Sequence, residues 1–181
     1  LHKDGRENVV AVHAINKQPS SRWYSGSGIY RDVTLQVTDK VHTEKNGTTI
    51  LTPDLEKQQN GKVDTHVTSK IVNTDDKDHE ILAEYQIIER HGQAVTDLVR
   101  TASQVLKAHQ SASLNAILQV DKPKLWTVNS DKPALYELVT RVYRDGQLVD
   151  AKKDLFGYRY YNWTPNEGFS LNGERIKFHG V

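Results

Sequence analysis

The side chains that could do chemistry in this chain are carboxylates, histidines and hydroxyls, because the sequence contains no cysteine. Its 23 acidic residues and 8 histidines would be enough for acid–base catalysis. However, no two histidines have the His-x-His or His-x-x-x-His spacing of a metal site, and no Gly-x-Ser-x-Gly turn is present for a serine nucleophile. The sequence therefore predicts no catalytic residue, no metal ligand and no cofactor.

One polar loop could bind a ligand. The run Arg22-Trp23-Tyr24 could stack on a sugar ring, because the apolar face of a pyranose fits an aromatic plane. The alternative is a structural tryptophan that anchors the loop against a sheet, with its indole N–H bonded to a carbonyl. Both interpretations stay open at this point, and Arg22 and Trp23 are the candidate substrate-binding residues.

The charge balance and the hydropathy pattern exclude two classes of partner. The 24 Lys and Arg residues nearly equal the acidic residues and are scattered, whereas a nucleic-acid surface needs a clustered excess of positive charge. No apolar run approaches the roughly 20 residues that cross a bilayer. We therefore expect neither a nucleic-acid partner nor a membrane span, and the sequence leaves a homo-oligomer open.

The elements that must position any such residues are β-strands. Apolar and polar residues alternate with a period of two in four segments, 63–71, 81–87, 112–120 and 136–142. This pattern is typical of antiparallel sheets with one buried face. Asp145-Gly146 predicts a tight hairpin, and Asn46-Gly47 and Asn60-Gly61 predict weaker turns. About seven strands at this spacing between residues 41 and 155 predict an all-β protein with a β-sandwich.

The two ends of the chain differ from this middle region. Residues 8–15 and 28–37 predict two strands, which are too few to fold alone, and residues 176–178 predict one more. The sequence also contains no methionine, which indicates a processed or excised piece of a longer protein. We therefore expect parts of two neighbouring domains at the ends.

Several stretches resemble the non-catalytic modules of glycoside hydrolase family 2, the β-galactosidase, β-glucuronidase and β-mannosidase group. Residues 8–12 and 22–33 resemble the end of the family's jelly-roll sugar-binding domain, and residues 168–181 resemble the entry into its catalytic (β/α)8 barrel. The motifs in the middle resemble the family's immunoglobulin-like sandwich; they are Pro123-Lys124-Leu125-Trp126, Pro133-Ala134-Leu135-Tyr136, Asp145-Gly146 and Phe156-Gly157-Tyr158-Arg159.

The resemblance implies three parts. Residues 1–38 would be the C-terminal end of the jelly-roll domain, residues 39–157 a complete immunoglobulin-like domain, and residues 158–181 a linker with the first barrel strand. The family hydrolyses β-glycosides with retention, using two glutamates on later barrel strands. Because those strands would follow Val181, the resemblance implies an inactive fragment. Glu167 and Glu174 are therefore not assigned a catalytic role.

The resemblance also implies a role for the fragment, and a substrate and location for its parent enzyme. It would brace the jelly-roll and barrel domains of a parent enzyme that removes a β-linked sugar, with galactose the first choice, from an oligosaccharide. In some β-galactosidases an aspartate just before the motif tryptophan contacts the sugar. Here residues 20–22 are Ser-Ser-Arg, so Arg22 is the candidate for a corresponding contact with the sugar. The short loop 25–28 favours bacterial glycan-degrading members and a periplasmic or other extracytoplasmic location, with the cytoplasm the alternative. A free-standing carbohydrate- or protein-binding module is the competing function.

Overall fold

The computed structural model describes residues 2, 4–16, 28–128, 130–178 and 180. Residues 37–181 form one compact unit and residues 1–36 another. The regular elements all lie in the larger unit. They are, in chain order, β1 Val41–Leu51, α1 Leu55–Gln58, β2 Lys62–Asn73, β3 His79–Glu89, β4 Val99–Arg100, β5 Gln104–Leu106, β6 Ser111–Asp121, β7 Tyr136–Arg144, β8 Gln147–Phe156, β9 Tyr161–Thr164, β10 Gly168–Leu171 and β11 Glu174–Arg175.

Two antiparallel sheets form a sandwich. One sheet has the order β1-β2-β6, and the other has the order β4-β3-β7-β8, with β5 also paired to β3. A single cluster of buried side chains, drawn from both sheets, fills the space between them. The predicted all-β class and the immunoglobulin-like sandwich are confirmed.

The alternating segments became the long strands of both sheets, and the alternation decides which face is buried. In β2 every second residue from Val63 to Ile71 is at most 1% exposed, including Thr65 and Ser69, while the residues that alternate with them are more exposed. Strand β3 repeats the pattern with Ile81 and Ile87, both fully buried. Burying one face of each strand removes its apolar side chains from water, which is the main force holding the two sheets together.

The turn residues behave in two ways. Asp145 and Gly146 have φ angles of 50° and 79°, the pair of positive values that a type I′ hairpin requires, and they connect β7 to β8 as predicted. The turn predicted at Asn46-Gly47 is wrong. Asn46 has a φ of 59° but lies inside β1, where the pairing with β2 is irregular between Thr43 and Thr48. The positive φ therefore makes a bulge there and leaves the strand continuous.

A separate, smaller sheet follows the sandwich. We call it the second sheet, to distinguish it from the two sheets that form the sandwich. Strands β9, β10 and β11 pair antiparallel in the order β11-β10-β9. The strand predicted at Ile176–Phe178 is not formed; the chain is already leaving the sheet after Arg175. The Ile176 backbone N–H still donates to the Phe169 carbonyl at 3.0 Å, but the ladder with β10 is limited to Arg175 and Glu174, opposite Ser170 and Leu171.

The smaller unit holds the other correction. Its described residues, 2, 4–16 and 28–36, contain no strand, although residues 8–15 and 28–37 predicted two. Val9, Val10, Val33 and Leu35 are 78–86% exposed. A strand is stabilised by hydrogen bonds to a neighbouring strand, and these segments have no such pairing in the structure.

The part of the chain that the structure describes contains no helix long and apolar enough to cross a membrane.

Candidate functional site

The two residues that the sequence selected for sugar binding, Arg22 and Trp23, lie outside the described residues. The structure instead brings together two motifs that the sequence singled out within the sandwich. These are the segment around Trp126, which follows β6, and the segment around Tyr158, which follows β8.

The two segments run side by side. Leu125 and Tyr158 form an isolated parallel bridge, and the Trp126 backbone N–H donates to the Tyr158 carbonyl at 2.8 Å. The Arg159 guanidinium lies 4.9 Å from the centre of the Trp126 ring, within the range of a cation–π contact. The motifs thus meet where the chain leaves the sandwich for the second sheet, and we call these residues, 123–126 and 156–159, the junction.

Gly157 explains why this close approach is possible. A β-carbon at this position would lie 2.8 Å from the Trp126 Cβ, which is well inside van der Waals contact. Any larger residue would push Trp126 away from the junction.

Asn172 connects the second sheet to the junction. Its side-chain amide donates to the Trp126 carbonyl at 2.8 Å, and its side-chain oxygen accepts from the Tyr160 backbone N–H at 3.1 Å. Sequence reasoning missed this residue. The signal was the dipeptide Asn172-Gly173, whose φ angles of 52° and 82° form the tight turn between β10 and β11.

Aromatic rings fill the buried side of the junction. Tyr158 meets Tyr136 edge-on at 5.0 Å and Phe156 at 5.2 Å between ring centres. The Tyr158 hydroxyl shares a 2.8 Å hydrogen bond with the Thr65 hydroxyl, and both residues are fully buried. Burial raises the pKa of Tyr158 above its ordinary value, so this hydroxyl stays protonated and acts as a packing group rather than as an acid or base.

A buried carboxylate on the sandwich also has structural hydrogen-bond partners. Glu84 on β3 is 4% exposed; it accepts hydrogen bonds from the Arg100 guanidinium and from the Tyr143 hydroxyl at 2.8 Å. The Arg100 contact lowers the pKa of Glu84, against the opposing effect of burial. A carboxylate held ionised by two donors is a poor general acid.

His79 is the most constrained histidine among the described residues. Its Nδ1 lies 2.7 Å from an Asp145 carboxylate oxygen and its Nε2 lies 3.0 Å from an Asp75 oxygen. Because a carboxylate only accepts, both ring nitrogens donate and the imidazole is protonated. The contact with Asp145, followed by that with Asp75, raises the pKa of His79. The cluster ties the β2–β3 loop to the β7–β8 turn.

Two carboxylates near the C-terminal end lie at the surface. Glu167 lies in the turn between β9 and β10, Glu174 lies in β11, and both are exposed. Hydrolysis of a glycoside with retention needs two carboxyl groups about 5 Å apart on a rigid frame. Within residues 2, 4–16, 28–128, 130–178 and 180, no group of three or more His, Asp or Glu could hold a metal ion.

The geometry therefore describes a structural site. The junction connects a sandwich to a small sheet through backbone bonds, an aromatic cluster and one asparagine. Its chemistry is suited to holding two pieces of protein in a defined arrangement.

The comparisons with known proteins identify the family. The profile of Glycosyl hydrolases family 2 matches residues 47–159. The chain is 33% identical over 175 residues to Beta-galactosidase BoGH2A of Bacteroides ovatus. The alignment covers 96% of this chain and 20% of that protein. It is 29% identical to a Beta-glucuronidase of Bacteroides fragilis, covering 100% of this chain and 26% of that protein.

A solved structure shows the same fold. It is a glycosyl hydrolase family 2 member from Bacteroides cellulosilyticus, with a TM-score of 0.74 and 30% identity, and the similarity covers 89% of this chain and 21% of that one. The chain thus spans about a fifth of the length of its relatives.

Proposed function

The chain belongs to glycosyl hydrolase family 2, and from this membership we propose that it is a non-catalytic bracing segment of a retaining β-glycosidase. The sandwich would serve as a spacer that holds the sugar-binding and catalytic domains in position. The parent enzyme would hydrolyse the O-glycosidic bond of a β-linked oligosaccharide.

The junction is the observation that carries this proposal. At the junction, the motif residues by which the sandwich resembles the family form a backbone bridge and ring contacts, and the buried Tyr158 hydroxyl is bonded to Thr65. A bracing domain needs packing contacts where the chain leaves it, because its role is to fix the positions of the neighbouring domains rather than to catalyse a reaction.

For the parent enzyme we propose a β-galactoside as the first substrate class. The relative with 33% identity is named a β-galactosidase, while one with 29% identity is named a β-glucuronidase. A β-glucuronide is therefore the second candidate; the two sugars differ in the configuration at C4 and in the carboxylate at C6, and the active site of the parent enzyme would have to distinguish both features.

The test compares two proteins, the 181-residue chain and the longest polypeptide encoded by its gene. Both are incubated with nitrophenyl β-galactoside and nitrophenyl β-glucuronide. We expect the long polypeptide to release nitrophenol from one of them and the 181-residue chain to release none at high protein concentration. Hydrolysis by the 181-residue chain would contradict the bracing role, and so would a gene that encodes nothing further.

A free-standing binding module is the competing function. It requires measurable affinity of the 181-residue chain for a sugar, which calorimetric titration with a β-galactoside at millimolar concentration would detect. We expect no heat of binding beyond dilution. Saturable binding that is lost in a Trp23→Ala variant would favour the module and the stacking role of Trp23.

We also propose that the parent enzyme is periplasmic or otherwise extracytoplasmic, an interpretation that rests on the Ser-Gly-Ser-Gly sequence at residues 25–28. Fractionation of the source cells, followed by detection of the long polypeptide with an antibody against this chain, tests the location. Recovery with cytoplasmic markers would contradict it.

A further inference from the structure

Strand β6 leaves one of its two edges open. It pairs with β2 along its whole length, from Asp121 opposite Lys62 to Ser111 opposite Val72, with no shift of register. In the part of the chain that the structure describes, no strand pairs with its other edge, so the sheet ends there. About half of the eleven residues of β6 therefore direct their backbone N–H and C=O groups away from β2.

The other edges of the sandwich carry features by which proteins prevent unwanted strand pairing. Strand β1 is interrupted by the bulge between Thr43 and Thr48. Strand β8 has charged residues at positions 150 and 152–154, and its pairing with β7 also shifts register. Strands β4 and β5 are only two and three residues long. Each of these edges is a poor template for a further strand.

Strand β6 has none of these protective features. From Ser111 to Val120 it contains no charged residue, no proline and no glycine, and its ladder with β2 is regular throughout. A long and uncharged edge strand of this kind readily accepts a strand from another chain. The open edge of β6 is therefore an interaction surface, and the partner that fits it is another β-strand.

The buried face of β6 is complementary to itself when two copies run antiparallel. A two-fold axis at Ala116 pairs all eleven residues, and residues equally distant from position 116 then lie opposite each other. On the buried face, Leu114 lies opposite Leu118 of the second copy, and both side chains belong to the core cluster. The apolar rows of the two copies would therefore be continuous.

The outer face of β6 is compatible with the same register. Asn115 would lie opposite Ile117 of the second copy, which is 55% exposed in the single chain. The one charged residue of the strand, Asp121, would lie opposite the uncharged Ser111. No like charges are opposed, so the electrostatic penalty that blocks many edge-to-edge pairings is absent.

We propose that β6 is the interface at which two copies of this chain form a two-fold symmetric dimer. Pairing at this edge would join the two three-stranded sheets into one of six strands, in the order β1-β2-β6-β6-β2-β1. A second copy is the occupant that the strand itself supports, because one register pairs its full length with no opposed charges. Symmetric pairing also closes both open edges at once, which stops further growth of the sheet.

A single introduced cysteine tests the register, because the chain contains no cysteine of its own. In an Ala116→Cys dimer the two cysteines lie directly opposite each other, with Cα atoms about 4.5–5.5 Å apart, which suits a disulfide. We expect mild oxidation to give a covalent dimer on a non-reducing gel.

Ala112→Cys is the matched control, at an alanine on the same face of the strand and of similar burial. In the proposed dimer it lies eight residues along the sheet from its own copy, about 26 Å away, so it should remain uncross-linked. Equal cross-linking of the two variants, or no cross-linking of either, would overturn the proposal.

Analytical ultracentrifugation of the unmodified chain measures the association itself. We expect the apparent mass to increase up to twofold from 20.6 kDa as the concentration rises. Ile117→Lys adds a charge to the open edge and should restore the monomer, whereas Thr49→Lys adds the same charge at an exposed position of β1 and should preserve the dimer. A monomer at every concentration up to about 0.1 mM, or a dimer that Ile117→Lys leaves intact, contradicts the interface.

The longest polypeptide encoded by the gene distinguishes a second copy from another domain as the partner of β6. We expect Ala116→Cys to cross-link two long polypeptides, above the level seen in the long polypeptide without this substitution. Cross-linking of the 181-residue chain alone would mean that another domain covers β6 in the parent enzyme, and the dimer would then be wrong for that enzyme.

Discussion

At the residue scale, the polar groups that first suggest catalysis have structural partners. His79 lies between the carboxylates of Asp75 and Asp145, and Glu84 lies under Arg100 and Tyr143. The sequence predicted no catalytic residue, but it contained no sign of these contacts. Asp145 lies 66 residues from His79 along the chain, and only the antiparallel pairing of β3 with β7 brings the two together.

The His79 cluster predicts how stability varies with pH. Its folded-state pKa is raised, so its stabilisation is fully present below the unfolded pKa near 6.5 and is lost as pH rises through the folded pKa. Asp75 and Asp145 have lowered pKa values, so their share is lost only in acid, as pH falls through those folded values. Lys40 faces Asp75, and Arg144 opposes the protonation of His79.

We expect the free energy of unfolding in urea to fall as pH rises from about 6.5, the ordinary pKa of histidine, through the raised folded-state pKa of His79. In a His79→Gln variant the fall should be smaller, because the group that loses its proton is gone. The other histidines are unchanged in both proteins, so the difference between the two profiles reports His79. Parallel profiles would contradict the role of this cluster.

The hydroxyl pair at the junction gives a second prediction. Tyr158→Phe leaves the fully buried Thr65 hydroxyl without its partner and should cost about 1–2 kcal/mol of unfolding free energy. The double variant with Thr65→Val should cost less than the sum of the two single variants, because both lose the same bond. Tyr161→Phe, at an exposed tyrosine, is the control and should be nearly neutral. Additive costs would show that the two hydroxyls do not interact.

At the element scale, alternation and turn chemistry account for most of the sandwich. The period-two segments became β2, β3, β6 and β7, and Asp145-Gly146 became the turn between β7 and β8. Local patterns failed where a strand depends on a neighbour. Residues 8–15 and 28–37 have suitable residues but no pairing in the structure, and the strand predicted at 176–178 ends instead at Arg175.

Gly157 provides the test at this scale. Gly157→Ala would place a β-carbon 2.8 Å from Trp126 and should cost about 1–3 kcal/mol, because the junction must open to accept it. We expect a lower melting temperature and faster proteolytic cleavage between residues 159 and 175. Gly61→Ala is the matched control: its added β-carbon would lie 3.8 Å from the nearest atom, an ordinary contact. Equal effects of the two variants would contradict the packing argument.

At the scale of the whole molecule, the chain is a sandwich carrying a sheet whose apolar face is open. The buried cluster is drawn from residues 41–158, so the second sheet contributes little to the core of the isolated chain. Tyr161 and Trp163 on that sheet are 69% and 70% exposed. The sandwich therefore holds its own core, whereas the second sheet leaves aromatic side chains in solvent.

The division predicts the outcome of a truncation. A chain ending at residue 160 keeps the whole buried cluster and should still unfold cooperatively, with a modestly lower melting temperature from the loss of Asn172 at the junction. Circular dichroism during heating, together with urea titration, would show this. A truncated chain that unfolds without a sharp transition would mean that the second sheet is part of the folding unit.

The sequence by itself determined the all-β class, the positions of β2, β3, β6 and β7, and the family, because side-chain alternation and short motifs are local properties that can be read without coordinates. Only the tertiary structure decided that Trp126, Gly157 and Tyr158 meet at the junction and that Asn172 bonds to it, since sequence spacing does not reveal these contacts. It also decided which face of the last sheet is open. Alternation shows that a strand has an apolar side, but the packing of the neighbouring elements determines whether that side is buried.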